Sequence, residues 1–331
     1  MVIIDYQIVA IESFGCVLMS GIRMGNRKGN GIKTQPLYFV FGRTAGFALS
    51  LRRNMSTMIG VFDSGFGGLT ILSSMRKLLP EYDYLYLGDN ARAPYGSRSF
   101  EVIYDYTCQA VEYLFAQGCE LVILACNTAS AKALRTIQQV RLPQIWQQEG
   151  SRSKRVLGII RPTAEVIGQY THTGHVAVLA TEGTVASDSY RIEISKQFPN
   201  LHITQQACPM WVPLVENDEY HSAGADYFVH KYIDLMLHSD KQIDTVLLAC
   251  THYPLLLDKI RSALPADIRV MVQGDIVARS LADYLQRHSD LASRLEKGGR
   301  CRYLSTEQSD KFGRLATLFM QSPVEVEHIV L

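Results

Sequence analysis

The sequence predicts a parallel α/β fold made of two similar halves. Two observations carry this reading. Short apolar runs alternate along the chain with segments of helical periodicity, the pattern of parallel strands joined by crossover helices. One motif also occurs twice, as Leu121-Val122-Ile123-Leu124-Ala125-Cys126-Asn127-Thr128 and Thr245-Val246-Leu247-Leu248-Ala249-Cys250-Thr251-His252. Each copy reads as a buried strand that ends in Ala-Cys and two polar residues before a helix-like segment. Each half therefore brings one thiol to the C-terminal end of a strand, where open α/β sheets bind ligands.

Residues 1–58 fit this pattern least. The apolar run Val2 to Ala10 is broken by Asp5, and no positive residue precedes it, which argues against a signal peptide. Residues 23–33 are basic and rich in Gly and Asn, as a linker would be. Leu37 to Leu51 is apolar but carries Arg43 and is too short to span a bilayer. We expect translation to start near Met55 or Met58, leaving residues 1–58 as a disordered or misassigned extension. The competing reading is a targeting or regulatory tail.

From Ile59 onward, strands are predicted at residues 59–62, 84–87, 121–125, 156–160, 176–180, 201–205, 246–249 and 268–272. Leu72, Met75 and Leu79 fall at helical spacing between the first two. So do Ile103, Tyr106, Ala110, Tyr113 and Leu114 between the second and third. The polar stretch Gln144 to Arg155 marks a surface insertion and a plausible boundary. The expected division is residues 59–160 plus 270–331 as one domain and residues 161–269 as the other.

Composition narrows the function. With 331 residues there is room for two domains, and 47% hydrophobic with 20% charged residues is ordinary globular usage. The net charge of +1 gives no reason to expect nucleic acid or a membrane surface as partner. Seven cysteines at irregular spacing, without a secretory signal, point to reduced thiols in a cytoplasm. No C-x-x-C pair or dense Cys/His cluster stands out, so no metal is expected.

Four segments can carry chemistry. Asp63-Ser64-Gly65-Phe66-Gly67-Gly68-Leu69-Thr70 joins the first strand to a helix, and its glycines let backbone N–H groups approach an anion. It lacks the Gly-Lys-Ser/Thr ending of a P-loop and the third glycine of a dinucleotide fingerprint. A tight turn with Asp63 as helix cap explains it equally well. Pro94-Tyr95-Gly96 offers a hydroxyl and backbone donors, or is an ordinary surface turn. Cys126-Asn127-Thr128 and Cys250-Thr251-His252 each place a thiol beside polar groups and a helix N-terminus. Cys16, Cys108, Cys119, Cys208 and Cys301 are assigned to inert packing. A matched pair of thiols suits stereoinversion, with one group on each face of a carbon atom.

Taken together the motifs resemble the glutamate racemases, cofactor-independent members of the aspartate/glutamate racemase superfamily. The matching pieces, in the family's order, are Ile59 to Leu69, Pro94-Tyr95-Gly96, Ala125 to Ser130, Leu179-Ala180-Thr181-Glu182-Gly183-Thr184-Val185, and Cys250 to Leu256. The resemblance implies two flavodoxin-like domains facing a central cleft. It implies interconversion of L- and D-glutamate for peptidoglycan, a homodimer, and no cofactor. By the same likeness Cys126 takes the α-proton from D-glutamate and Cys250 takes it from L-glutamate. Asp63 assists Cys126, His252 assists Cys250, and Glu216 is a further acidic residue near His252. Substrate would be held by Asp63, Ser64, Pro94, Tyr95, Gly96, Asn127, Thr128, Thr184, Thr251 and His252. The chain departs from the family at Arg161-Pro162-Thr163, and residues 1–58 have no counterpart. Alternatives are an aspartate racemase of the same superfamily, a non-catalytic glutamate-binding protein, and a one-thiol hydrolase or redox enzyme.

Overall fold

The computed structural model describes three strands within residues 1–56, and then residues 57–308, 310–320 and 322–331. By Cα packing the chain divides into a unit Met1–Met55 and a unit Ser56–Leu331. In the first unit, β1 (Gln7–Ile11), β2 (Cys16–Ser20) and β3 (Phe39–Val40) form an antiparallel sheet in that order. The expected disorder or misassignment of the extension lies outside the described residues. No helix among the described residues is long and apolar enough to cross a membrane.

The second unit contains two parallel sheets. One is six-stranded, in the order β13-β12-β5-β4-β6-β7. Its strands are β4 (Ile59–Asp63), β5 (Tyr84–Gly88), β6 (Leu121–Leu124), β7 (Arg155–Gly158), β12 (Cys301–Ser305) and β13 (Val326–His328). The other is four-stranded, in the order β11-β10-β8-β9. It contains β8 (His175–Ala180), β9 (His202–Ala207), β10 (Thr245–Ala249) and β11 (Arg269–Met271). All pairings in both sheets are parallel.

The two sheets share one winding. In chain order, β5-β4-β6-β7 and β9-β8-β10-β11 both run second, first, third, fourth, which is the flavodoxin-like order. The chain reverses its lateral direction between the first and third strands of each set. A crevice opens there at the strands' C-terminal ends. Cys126 follows β6 and Cys250 follows β10, so both thiols sit at equivalent switch points.

Burial explains the strand runs. Every residue of β4, β5, β6 and β10 is buried, as a sheet covered by helices on both faces requires. Helix α1 (Leu69–Leu78) buries Leu69, Ile71, Leu72 and Met75, and packs against a later helix over Gly274–Arg287. The helix Phe100–Ala116 starts at Ser99, whose hydroxyl accepts from the Val102 N–H, and buries Ile103, Ala110, Val111 and Leu114.

The polar stretch beginning at Gln144 is not a simple loop. Residues Leu142–Glu149 are helical, bury Leu142 and Ile145, and end at Gly150 in the left-handed region (φ 63°). The crossing between sheets comes later, after β7. Strands β12 and β13 were not expected.

Asp83 ties the C-terminal strands to this sheet. Its buried carboxylate accepts the N–H groups of Gly298 (2.8 Å) and Arg300 (2.9 Å) and the Arg300 guanidinium (2.8 Å to Nε). Burial alone would raise the Asp83 carboxyl, but these donors outweigh it and hold it below the ordinary 3.8. A depressed carboxyl contributes stability above its unfolded pKa and loses it as the pH falls. Asp83→Ala is expected to cost about 2 kcal/mol in urea unfolding at pH 7 and to flatten the acid limb of stability. Parental stability in the variant would contradict this.

Candidate active site

The two sheet ends meet around a narrow cavity of about 20 Å³. Both Cys126 and Cys250 line it. Cys126 caps the short helix α2 (Asn127–Lys132): its sulfur accepts from the Ala129 N–H at 3.5 Å and lies 3.4 Å from the Ser64 hydroxyl. Burial, reinforced by the Asp63 carboxylate, pushes the Cys126 thiol up to about 12, against the pull of Ser64 and the Ala129 N–H. At neutral pH Cys126 is therefore held as a thiol.

Cys250 has different company. Its sulfur lies 4.0 Å from His252 Nδ1, while His252 Nε2 donates to Glu216 Oε1 at 2.7 Å. Burial alone would lower the imidazole. Hydrogen bonds to Cys250 and Glu216 and their negative charge outweigh burial and raise His252 to about 10. His252 is thus held as an imidazolium between a carboxylate and a sulfur. Glu216 ends the helix Trp211–Glu216, whose buried Trp211 packs edge-on to Tyr253 with ring centroids 4.7 Å apart.

The halves are joined by reciprocal hydrogen bonds. Thr251 Oγ1 donates to Asp63 Oδ1 at 3.4 Å, linking the end of β4 to the residue after Cys250. Thr128 and Thr181 hydroxyls lie 3.0 Å apart, linking the residue after β8 to the helix begun by Cys126. Gly67 makes the first contact: a Cβ there would lie 2.5 Å from Thr251 Oγ1 and 2.7 Å from His252 Nδ1. The glycine loop is thus a surface for the second thiol motif to pack on. The fully buried Asp63 also accepts the Gly65 N–H at 3.1 Å. Burial raises its carboxyl, although His252 and the N–H groups of Gly68 and Gly65 pull it down.

Most of the residues expected from sequence come together. Ser64, Pro94, Tyr95, Gly96, Asn127 and Thr128 line the cavity, as do Thr251, His252 and Glu216. Asp63 and Thr184 stand behind it. Thr184 contributes to the Thr128–Thr181 hydroxyl cluster, with its Oγ1 3.1 Å from that of Thr181. Ser64, not Asp63, contacts the Cys126 sulfur. The Tyr95 hydroxyl is turned away to donate to Asp89, so Tyr95 offers the cavity its ring and backbone.

Sequence reasoning missed Ala93, Thr181 and Val212, which also line the cavity. It also missed a buried amide network. Asn127 Nδ2 donates to Gln273 Oε1 at 2.8 Å, and Tyr190 OH donates to Asn127 Oδ1 at 2.5 Å. Gln273 Nε2 reaches Tyr190 OH at 2.7 Å and Thr163 Oγ1 at 3.0 Å. This fixes Asn127, the residue after the first thiol, against the strand crossings on both sides. The sequence separation of 146 between Asn127 and Gln273 hid it.

A family model described as Asp/Glu/Hydantoin racemase matches residues 67–281 of the chain. The glutamate racemase of Ruegeria sp. (strain TM1040) is 38% identical over 279 residues, 81% of this chain and 98% of that protein. That of Streptococcus gordonii is 35% identical over 274 residues, 82% of this chain and 98% of that protein. Among solved structures, glutamate racemase isoform RacE1 from Bacillus anthracis superposes with a TM-score of 0.74 at 30% identity, covering 84% of this chain and 99% of that one. Glutamate racemase from Francisella tularensis in complex with D-glutamate gives 0.70 at 28% identity, covering 83% and 97%.

A pH prediction follows from the raised His252. A cation whose folded pKa lies above its unfolded value contributes stability that is complete below the ordinary 6.5 and lost as pH rises through about 10. Glu216→Gln removes a charge that holds the imidazolium, so this loss should move to lower pH in denaturant titrations. An unchanged profile would remove the His252–Glu216 pair from the site's electrostatics.

Proposed function

Because the chain belongs to the Asp/Glu/Hydantoin racemase family of isomerases, we propose that it interconverts L- and D-glutamate by proton transfer between Cα and two thiols. The observation that carries this reading is that Cys126 and Cys250 line one cavity from equivalent strand ends. A single base on one face would tend to return the proton to the side it came from. Two opposed groups invert the centre.

The step balances on the thiols. One sulfur, as thiolate, takes the Cα proton and becomes a thiol. The electron pair left on Cα takes a proton from the other thiol on the opposite face. The product has the inverted configuration, and the two sulfurs have exchanged protonation states. No electron leaves or enters. By the likeness to the glutamate racemases, Cys250 takes the proton from L-glutamate, with the Cys126 thiol returning one on the other face. The reverse reaction starts from the reverse protonation state. A Cα–H next to a carboxylate is a very weak acid, so the reaction depends on a dry cavity and on donors aimed at the growing charge. Ser64, Asn127, Thr128, Thr181 and Thr251 are among the polar side chains available to hold the substrate's charged ends.

The same reading assigns residues 59–160 plus 270–331 and residues 161–269 to the two racemase domains. The sheet memberships support it, with β11 straddling the join. It also includes D-glutamate supply to peptidoglycan, a cytoplasmic setting and a homodimer.

The test is circular dichroism on L- and D-glutamate separately, without added cofactor. Both signals should decay to zero, and Cys126→Ala or Cys250→Ala should cut the rate at least about 100-fold in both directions. Decay with aspartate but not glutamate would move the substrate to the shorter acid. Silence with both would overturn the reading, as would full activity in Cys126→Ala.

A further inference from the structure

At the opposite end of the four-stranded sheet, three side chains converge on one oxygen atom. His175 Nδ1 lies 2.8 Å from Asp240 Oδ2, and His202 Nδ1 lies 3.0 Å from the same oxygen. The imidazole rings are 4.9 Å apart. One ligand atom from each of the three lies within 4.8 Å of the other two. The cluster belongs to no part of the cavity around Cys126 and Cys250.

From these distances we propose that His175, His202 and Asp240 form a site for a late first-row divalent cation, with zinc as its natural representative. Zinc bonds to imidazole nitrogen and carboxylate oxygen are about 2.0–2.2 Å long, so tetrahedral ligand atoms sit about 3.3 Å from one another. The two nitrogen–oxygen separations are already close to that, and small side-chain rotations open room for the ion. Two imidazoles and one carboxylate suit zinc, copper(II) or nickel. The set has too few oxygens for calcium or magnesium and no thiolate for copper(I).

The backbone prepares the site. His175 and His202 are directly paired across β8 and β9, so parallel register puts both rings at the same height. Asp240 caps the C-terminus of the helix Ala223–Ser239, and its other oxygen accepts the Gln242 N–H at 2.9 Å. That bond orients the carboxylate, as groups behind metal ligands commonly do. Access is open: β9 is an edge strand, and His202 and Ser239 line a surface cavity of about 540 Å³. Three protein ligands leave a position for water or an exogenous ligand.

The site escaped sequence reasoning because 65 residues separate His175 from Asp240. It stands one strand length, on the order of 17–20 Å, from the end of β8 that leads to Thr181 and the cavity. Its role is therefore separate from proton transfer. A bound cation would clamp the entry ends of β8 and β9 to the end of the helix Ala223–Ser239.

The experiment is calorimetric titration of zinc into the untagged full chain, alongside Asp240→Asn and His202→Ala, with cobalt(II) substituted for absorption spectroscopy. The parent should bind one zinc at this site, and each variant should bind it at least about tenfold more weakly. Cobalt should give ligand-field bands with no thiolate charge-transfer band, and zinc should raise the melting temperature of the parent but not of the variants. Far-ultraviolet dichroism and unchanged racemisation by the zinc-free variants would show that they are folded. Undiminished zinc binding in both folded variants would overturn the proposal. So would a thiolate band in place of the ligand-field spectrum, or no binding by the parent.

Discussion

The active cavity depends on a reciprocal pair of hydrogen bonds between the two sheets. Each bond joins the residue at or just after one half's first strand to a residue following the other half's thiol. Asp63 receives Thr251, and Thr181 meets Thr128. Because both halves wind in the same order, these bonds join corresponding strand ends, although Thr251 directly follows its cysteine and Thr128 stands one residue further on. They set the two strand ends against each other, and with them the two sulfurs. Gly67 lets the approach happen, since a Cβ there would collide with Thr251 and His252. Behind this layer, Gln273 locks Asn127, Tyr190 and Thr163 into one satisfied polar network. Buried networks of that kind cost little when every member is paired and a great deal when one is missing.

The symmetry is geometric and not electrostatic. Cys126 sits under a helix N-terminus with a serine hydroxyl and a buried carboxylate nearby. Cys250 faces an imidazolium backed by Glu216. Two unequal thiols do not bias the reaction's end point, because the enantiomers have equal free energy in solution. For the proposed racemisation the inequality is expected in the separate kcat and KM of the two directions, with their kcat/KM values equal.

The sequence made the architecture legible where local pattern and tertiary environment agree. Runs such as Tyr84–Gly88 and Thr245–Ala249 are buried on both faces, so apolarity alone marks them. The repeated Ala-Cys ending located both switch points. Strand β12, Cys301–Ser305, failed because Arg302 and Ser305 break the apolar run, and β13 has just three residues. In the site, residues within a motif were found because they are contiguous. Val212, Tyr190 and Gln273 were not, because contacts that span long stretches of chain leave no local signal; Thr181 stood inside a matching motif from which only Thr184 was assigned to the site. Tyr95 shows the remaining gap: it lines the cavity, yet its hydroxyl serves Asp89.

In the proposed reaction the proton removed and the proton returned occupy different sulfurs, and this separation is its core. It is tested most directly by the deuterium content of each enantiomer, measured by mass spectrometry during the first few per cent of conversion of protiated L-glutamate in deuterium oxide. Two exchanging thiols predict that the D-glutamate formed carries deuterium at Cα while the remaining L-glutamate stays protiated. D-glutamate that keeps its original protium would mean that one group both takes and returns the proton, and would contradict the account.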